Sequence, residues 1–191
     1  MKEFIVPGAR TAVKPITQKR LTNVALYYLG RYESSSENLR RLLQRRVVRA
    51  EMKGAVVPEE ASDWIEAIVL EMRRLGYVDD KRFALSVAEK YRKAGKSRKY
   101  ICQKLALAGI SADMQASILA EAENDSTADS ELEAALLLVK KRKLGLYRSE
   151  QDRALFRRKD LAVLSRAGFS YQTAVKALGT AAEEGEEYGW D

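Results

Sequence analysis

Between Thr17 and Thr180 apolar residues return at intervals of three and four. No segment alternates apolar and polar positions convincingly, so the pattern predicts helices and no strand. Trp64, Ile68, Met72 and Leu75 make one apolar face, and Gly76 stands where a left-handed residue would end that helix. Phe83, Val87, Ala88 and Tyr91 make the next face, and Asp79 or Asp80 can cap its start. The link between the two helices is too short to hold a strand.

The helices are expected in threes. Leu105-Ala106-Leu107-Ala108-Gly109-Ile110-Ser111 and Leu164-Ser165-Arg166-Ala167-Gly168-Phe169-Ser170 share a pattern at an offset of 59 residues. Each reads as a helix end, a glycine stop, an apolar plug and a serine that caps the following helix. Such self-similarity implies tandem three-helix units, of helix-turn-helix type, over residues 17–76, 77–125 and 126–180. In the first, Ser34 and Glu37 have capping-box spacing for a second helix that runs on to Gly54, and Pro58-Glu59-Glu60 reads as the first turn of a third. Asn124-Asp125-Ser126-Thr127 is a polar cluster suited to a hinge or turn. Residues 1–16, with Pro7, Gly8 and Pro15 and no periodic face, are expected to form a mobile arm, and residues 181–191 a flexible acidic tail. Modules of roughly 50 to 60 residues are marginal alone. The expected fold class is therefore all-α, with the repeats stacked into an elongated, curved row.

Composition narrows the function. In 191 residues, 46% hydrophobic content suffices for a core, and 34 Lys plus Arg against 27 Asp plus Glu give a net charge of +7. Five acidic side chains fall in the last nine residues, so the rest of the chain carries +12. That excess attracts polyanions, either nucleic acid or a strongly acidic protein surface. No apolar run reaches membrane-spanning length and Met1 to Thr17 lacks a signal-like apolar core, so a cytoplasmic location without membrane attachment is expected. Cys102 is the single cysteine and histidine is absent, which excludes an intramolecular disulfide, the usual zinc sites and histidine-based triads. Asp79 and Asp80 lack a third ligand and read as helix-capping residues. No catalytic constellation, cofactor site or metal site is expected, and the chain reads as a non-enzyme.

Arg41, Arg45, Arg49 and Lys53 recur every four residues and would form one stripe on a helix. Like charges so spaced repel by about 0.2 to 0.5 kcal/mol per pair, which suggests an anionic partner unless acidic residues elsewhere neutralise the face. Later basic clusters are Arg92, Lys93, Lys96, Arg98 and Lys99, then Lys140 to Lys143, then Arg157 to Lys159. Their recurrence fits a polyanion track, although the helix dipole equally accounts for cations at a helix end. The contact candidates are Arg41, Arg45, Arg49, Lys53, Arg98, Lys99, Lys140, Lys141, Arg157, Arg158 and Arg166. Tyr28, Arg31 and Tyr32 share a turn and either stack bases or cover a small core. Trp64 reads as core. Three helix-turn-helix-like units also leave open a regulator that binds double-stranded DNA directly.

The block Gly76-Tyr77-Val78-Asp79-Asp80-Lys81-Arg82-Phe83-Ala84 resembles the signature of the RecX family, bacterial regulators of the RecA recombinase: Gly, two apolar residues, Asp-Asp, any residue, Arg-Phe-Ala. The resemblance extends over residues 24–178. It includes Ala25, Leu26, Leu29, Arg31, Leu39 and Leu42, then Gly95, Ile101, Leu105, Gly109 and Ile110, then Arg157, Lys159, Leu164, Gly168, Phe169 and Ser170. Ala167 departs from the usual arginine, Val163 from a common aromatic, and Gln44 to Glu60 is longer than the usual connection. The resemblance implies an all-helical chain of three tandem three-helix repeats. It further implies a regulator that binds RecA and its nucleoprotein filament, mostly inhibiting recombinase, ATPase and coprotease activities in homologous recombination, DNA repair and the SOS response. Weak, sequence-tolerant DNA binding by a monomer is the matching expectation.

Overall fold

A computed structural model describes residues 15–124 and 130–179, and among them every regular element is helical. Residues 1–14 of the expected arm, the stretch 125–127 of the polar cluster and the acidic tail at 181–191 lie outside the described residues. The chain divides into two compact units, Met1–Asp79 and Asp80–Asp191.

The first unit holds α1 (Gln18–Leu29), α2 (Ser36–Glu51) and α3 (Ala61–Arg74), with α3 packed on both others. Leu21, Ala25, Leu39, Leu43, Val47, Ile65, Ile68, Val69 and Met72 form its core, and Trp64 and Tyr28 pack partly buried against it. Burial of apolar area on this scale is the driving force that orders three helices of 12, 16 and 14 residues, close to the length at which an isolated helix is marginal in water. Ile16, which the sequence placed in the arm, is buried in this core, and the Thr17 hydroxyl accepts from the Arg20 N–H to cap α1.

Several local expectations shift by a few residues. The cap of α2 is Ser35, whose hydroxyl accepts from the Asn38 N–H at 3.2 Å, whereas Ser34 is buried. The expected capping box therefore fails by one position, and Glu37 turns to Arg40 and Arg41 instead. The helix α2 ends at Glu51, so Lys53 lies in the turn beyond it and is no part of the stripe. Pro58 precedes α3 by a turn and accepts from the Ala61 N–H, with Glu60 at the cap. Leu75 is 49% exposed, because the apolar face of α3 closes through Val69 and Met72. Gly76 does adopt φ +75°, and the Tyr77 N–H returns to the Met72 carbonyl, which delivers Val78 into the core.

The second unit holds α4 (Asp80–Lys93), α5 (Arg98–Leu107), α6 (Ala112–Asn124), α7 (Ser130–Arg142), a single 3-10 turn (Gly145–Tyr147), α8 (Glu150–Arg166) and α9 (Tyr171–Leu178). Two apolar clusters fill it. Helices α4 to α6 enclose Ala84, Ala88, Ile101, Leu105, Ile110, Ile118 and Leu119, with Phe83, Val87 and Tyr91 half-buried at the edge. Helices α7 to α9 enclose Ala135, Val139, Leu144, Leu164, Phe169, Ala174, Ala177 and Leu178.

The paired Leu-to-Ser segments take the same form in both halves. The Ile110 N–H donates to the Leu105 carbonyl and the Phe169 N–H to the Leu164 carbonyl, each plug is buried, and Ser111 and Ser170 cap the next helix through Met114 and Thr173. At the α8 end Gly168 has φ +92°, and a Cβ there would stand 2.6 Å from the Ser97 Oγ and 3.2 Å from the Lys99 Cβ. The glycine thus serves both the helix stop and the close approach of the α5 start.

Candidate functional site

The helix α2 has two differently composed sides. Leu39, Leu43 and Val47 face the core, and Arg41, Gln44, Arg45, Val48, Arg49 and Met52 line a shallow open groove on the outside. Arg45 and Arg49 are exposed, and so are the apolar Val48 and Met52, the latter at 82%. Arg41 is half-buried, with its Nε 2.7 Å from a Glu37 oxygen. The stripe is therefore partly neutralised at its N-terminal end and presents cations beside exposed aliphatic groups at the other.

Next to it, Arg40 fixes the geometry of the unit. Its guanidinium reaches Glu66 on α3 through two bonds of 2.6 and 2.8 Å and also meets Glu37 at 2.6 Å. The bond to Glu66 raises the Arg40 pKa above its usual value, and the same guanidinium holds the Glu66 carboxyl below its own. A second groove, between α1 and α2, is lined by Arg20, Asn23, Val24, Tyr27 and Arg46. Here the tyrosines divide their labour: Tyr28 packs on the core and against Tyr32 at 5.3 Å between centroids, while Arg31 lies over the exposed ring of Tyr27 at 4.1 Å.

In the second unit the start of α5 meets the turn that ends α8. Ser97 caps α5 through the Tyr100 N–H and donates its hydroxyl to the Ala167 carbonyl at 2.6 Å. This brings Arg98 and Lys99, the first two residues of α5, beside the turn that begins at Arg166. The Arg98 N–H also donates to the Glu131 carboxylate on α7 at 2.9 Å. Arg166 is exposed, with its Nε bonded to the Ala162 carbonyl. Lys140 and Lys141 lie exposed in the last turn of α7, where the dipole favours them. On α8, Arg157 is half-buried and Arg158 exposed.

Asp160 is the group that the sequence reading passed over. It is 1% exposed, yet both carboxylate oxygens are satisfied: Arg148 donates Nε and Nη2 at 2.8 and 2.7 Å, and the Gly145 N–H donates at 2.9 Å. Burial by itself would raise the carboxyl pKa, but the guanidinium and the amide outweigh it and hold the group below the usual carboxylate range. The pair joins the 3-10 turn to α8. Among the described residues no cluster of three or more His, Cys, Asp or Glu is placed to hold a metal, and no helix is long and apolar enough to cross a membrane.

No family model matches the chain. It is, however, 36% identical over 166 residues to regulatory protein RecX of Myxococcus xanthus, covering 86% of this chain and 87% of that protein. The chain belongs to the RecX family. Regulatory protein RecX of Agrobacterium fabrum is 26% identical over 183 residues, covering 94% of both. Two crystal structures share the fold at a TM-score of 0.61 and 20% identity: RecX from Lactobacillus salivarius, with 85% of this chain and 94% of that one aligned, and another regulatory protein RecX, with 85% and 71% aligned. In this RecX-family chain the signature block Gly76 to Ala84 has a plain structural task, ending α3, burying Val78 and opening α4 with Asp80.

What sequence reasoning missed in the RecX-family chain is the wiring between elements. Arg40 and Glu66 are 26 residues apart and Ser97 and Ala167 are 70 apart, so no local spacing marks them. Asp160 carried one signal, a lone acid directly after the basic run Arg157-Arg158-Lys159.

Proposed function

We propose that this chain binds RecA and the nucleoprotein filament that RecA forms on DNA, and restrains its recombinase, ATPase and coprotease activities in DNA repair. It acts by binding, without catalysis, as a cytoplasmic monomer built of three repeats bounded near residues 17–76, 77–125 and 126–180. The observation that supports this reading best is the outer face of α2, where Arg45 and Arg49 flank the exposed Val48 and Met52. Cations beside exposed aliphatic groups suit a partner that is acidic and itself partly apolar, as a protein surface is, and they serve no packing need within the unit. Arg41 shares the groove and completes the contact when Glu37 releases it. The lysines and arginines of the second unit, Arg98, Lys99, Lys140, Lys141, Arg157, Arg158 and Arg166, supply attraction to DNA phosphates on the same filament.

The test is RecA ATPase on single-stranded DNA with this protein titrated at fixed salt, beside a variant carrying Arg41→Gln, Arg45→Gln and Arg49→Gln. The wild type should suppress ATPase at substoichiometric amounts, and the triple variant should require about tenfold more protein, since each rim charge removed contributes up to about 1 kcal/mol. Undiminished ATPase at saturating wild-type protein would end the recombinase reading.

A further inference from the structure

We infer that Tyr100, together with Lys96 and Lys104, forms a subsite for one base and its flanking phosphates of a single-stranded nucleic acid. The ring of Tyr100 is half-buried near the start of α5, set edge-on against Tyr91 with centroids 5.2 Å apart. Lys96 stands over it with its Nζ 5.1 Å from the centroid, and Lys104, one turn further along the helix, reaches it at 5.2 Å. Lys90 in turn lies 5.9 Å from the Tyr91 ring. Two ammonium groups thus converge on a single aromatic ring.

Packing does not account for this convergence. Tyr91 covers the apolar cluster of α4 to α6, but Tyr100 lies outside that cluster. Among the described residues neither Lys96 nor Lys104 is ion-paired with a carboxylate. The comparison inside the same unit is Phe156, which also lies under two cations, Arg148 at 4.7 Å and Lys159 at 5.1 Å. There one of the two cations, the guanidinium, is neutralised by the buried Asp160. At Tyr100 the positive charge is left over. A fixed π system bracketed by two unbalanced ammonium groups matches a nucleobase bracketed by two phosphates, because every base offers a face to stack and the backbone repeats its charge on both sides. An acidic peptide would satisfy the lysines and leave the ring without a planar partner.

The inference deepens the filament reading by giving the nucleic-acid strand a place on the chain, and it is tested without RecA. The full-length protein is titrated into fluorescently labelled oligothymidine, oligouridine and an abasic deoxyribose-phosphate oligomer, with anisotropy as readout. Tyr100→Leu, which keeps an apolar group against Tyr91, should bind oligothymidine about tenfold more weakly than wild type and should equal wild type on the abasic oligomer. Tyr100→Phe should match wild type on both. Lys96→Gln with Lys104→Gln should weaken all three and make the log-log salt slope shallower by about 0.7 for each phosphate that is no longer neutralised. The tighter of oligothymidine and oligouridine names the strand. Equal binding of oligothymidine by wild type and Tyr100→Leu overturns the subsite, as does an equal weakening on the abasic oligomer. Should Tyr100→Leu fail to melt cooperatively, the lysine pair and Tyr100→Phe decide, and a lysine pair that binds like wild type overturns it. If the wild type leaves RecA ATPase unchanged while Tyr100-dependent strand binding persists, the recombinase reading falls and the subsite stands.

Discussion

At the residue scale the chain shows how a single buried charge can organise a turn. Asp160 accepts three bonds from Arg148 and Gly145, so the 3-10 turn and α8 are tied through one carboxylate. Replacing it with alanine leaves a guanidinium and an amide without their partner, and Asp160→Ala should lower unfolding stability by about 3 kcal/mol in urea titrations at neutral pH. The folded carboxyl titrates below its unfolded value of about 3.9, so its contribution is complete above that pH and disappears as pH falls through the lower folded value. The gap between wild type and Asp160→Ala should therefore stay constant from pH 7 to about 5 and close in acid. Little of this was legible beforehand: the position of Asp160 directly after Arg157-Arg158-Lys159 was its one signal, and its partner Arg148 lies outside any helix.

At the element scale the helix stops decide register. The chain uses glycine at the left-handed position closing α8, where the Gly168 φ is +92° and the Ser97 Oγ leaves no room for a Cβ. The stop of α7 is made instead by Lys143 at φ +52°, with the Leu144 N–H returning to the Val139 carbonyl. Lysine in that conformation is strained, so Lys143→Gly should raise stability by about 0.5 to 1 kcal/mol. Gly168→Ala should lower it by about 2 to 4 kcal/mol, adding the clash to the strain. Both are read from paired thermal and urea melts, and opposite signs are required. The glycine stops and serine caps were visible in the sequence because their bonds span only a few residues. The Ser34 expectation failed by one residue because the choice between neighbouring serines depends on how the chain enters the core.

At the scale of the whole molecule, charge rather than any one interaction sets the response to salt. The chain carries +7, and deletion of the last nine residues removes five negative charges and leaves +12. The deletion should tighten binding to single-stranded DNA at low ionic strength and make the salt dependence steeper, and the two curves should converge once the Debye length falls to about 3 Å near 1 M salt. Equal affinities at low salt would show that the tail's charge is not sensed at the binding surface. The division into Met1–Asp79 and Asp80–Asp191 adds that α4 to α9 form one compact unit, in which Ser97, Arg98 and Gly168 knit α5 to α7 and to the α8–α9 turn.

The sequence by itself determined the helical class, the helix ends marked by Gly76, Gly109, Ser111, Gly168 and Ser170, part of the apolar faces of α3 and α4, and the RecX kinship carried by Gly76 to Ala84. These follow from periodicity and from backbone bonds that close within one turn, so the information is local. Only the tertiary structure decided which charges are spent internally and which are not. Arg40 is committed to Glu66 and Arg148 to Asp160, whereas Lys96 and Lys104 converge on Tyr100 with no acid among the described residues to balance them. A basic residue looks the same in a sequence whether or not a carboxylate waits across the fold. Its partner is set by how distant helices pack, and no spacing along the chain encodes that.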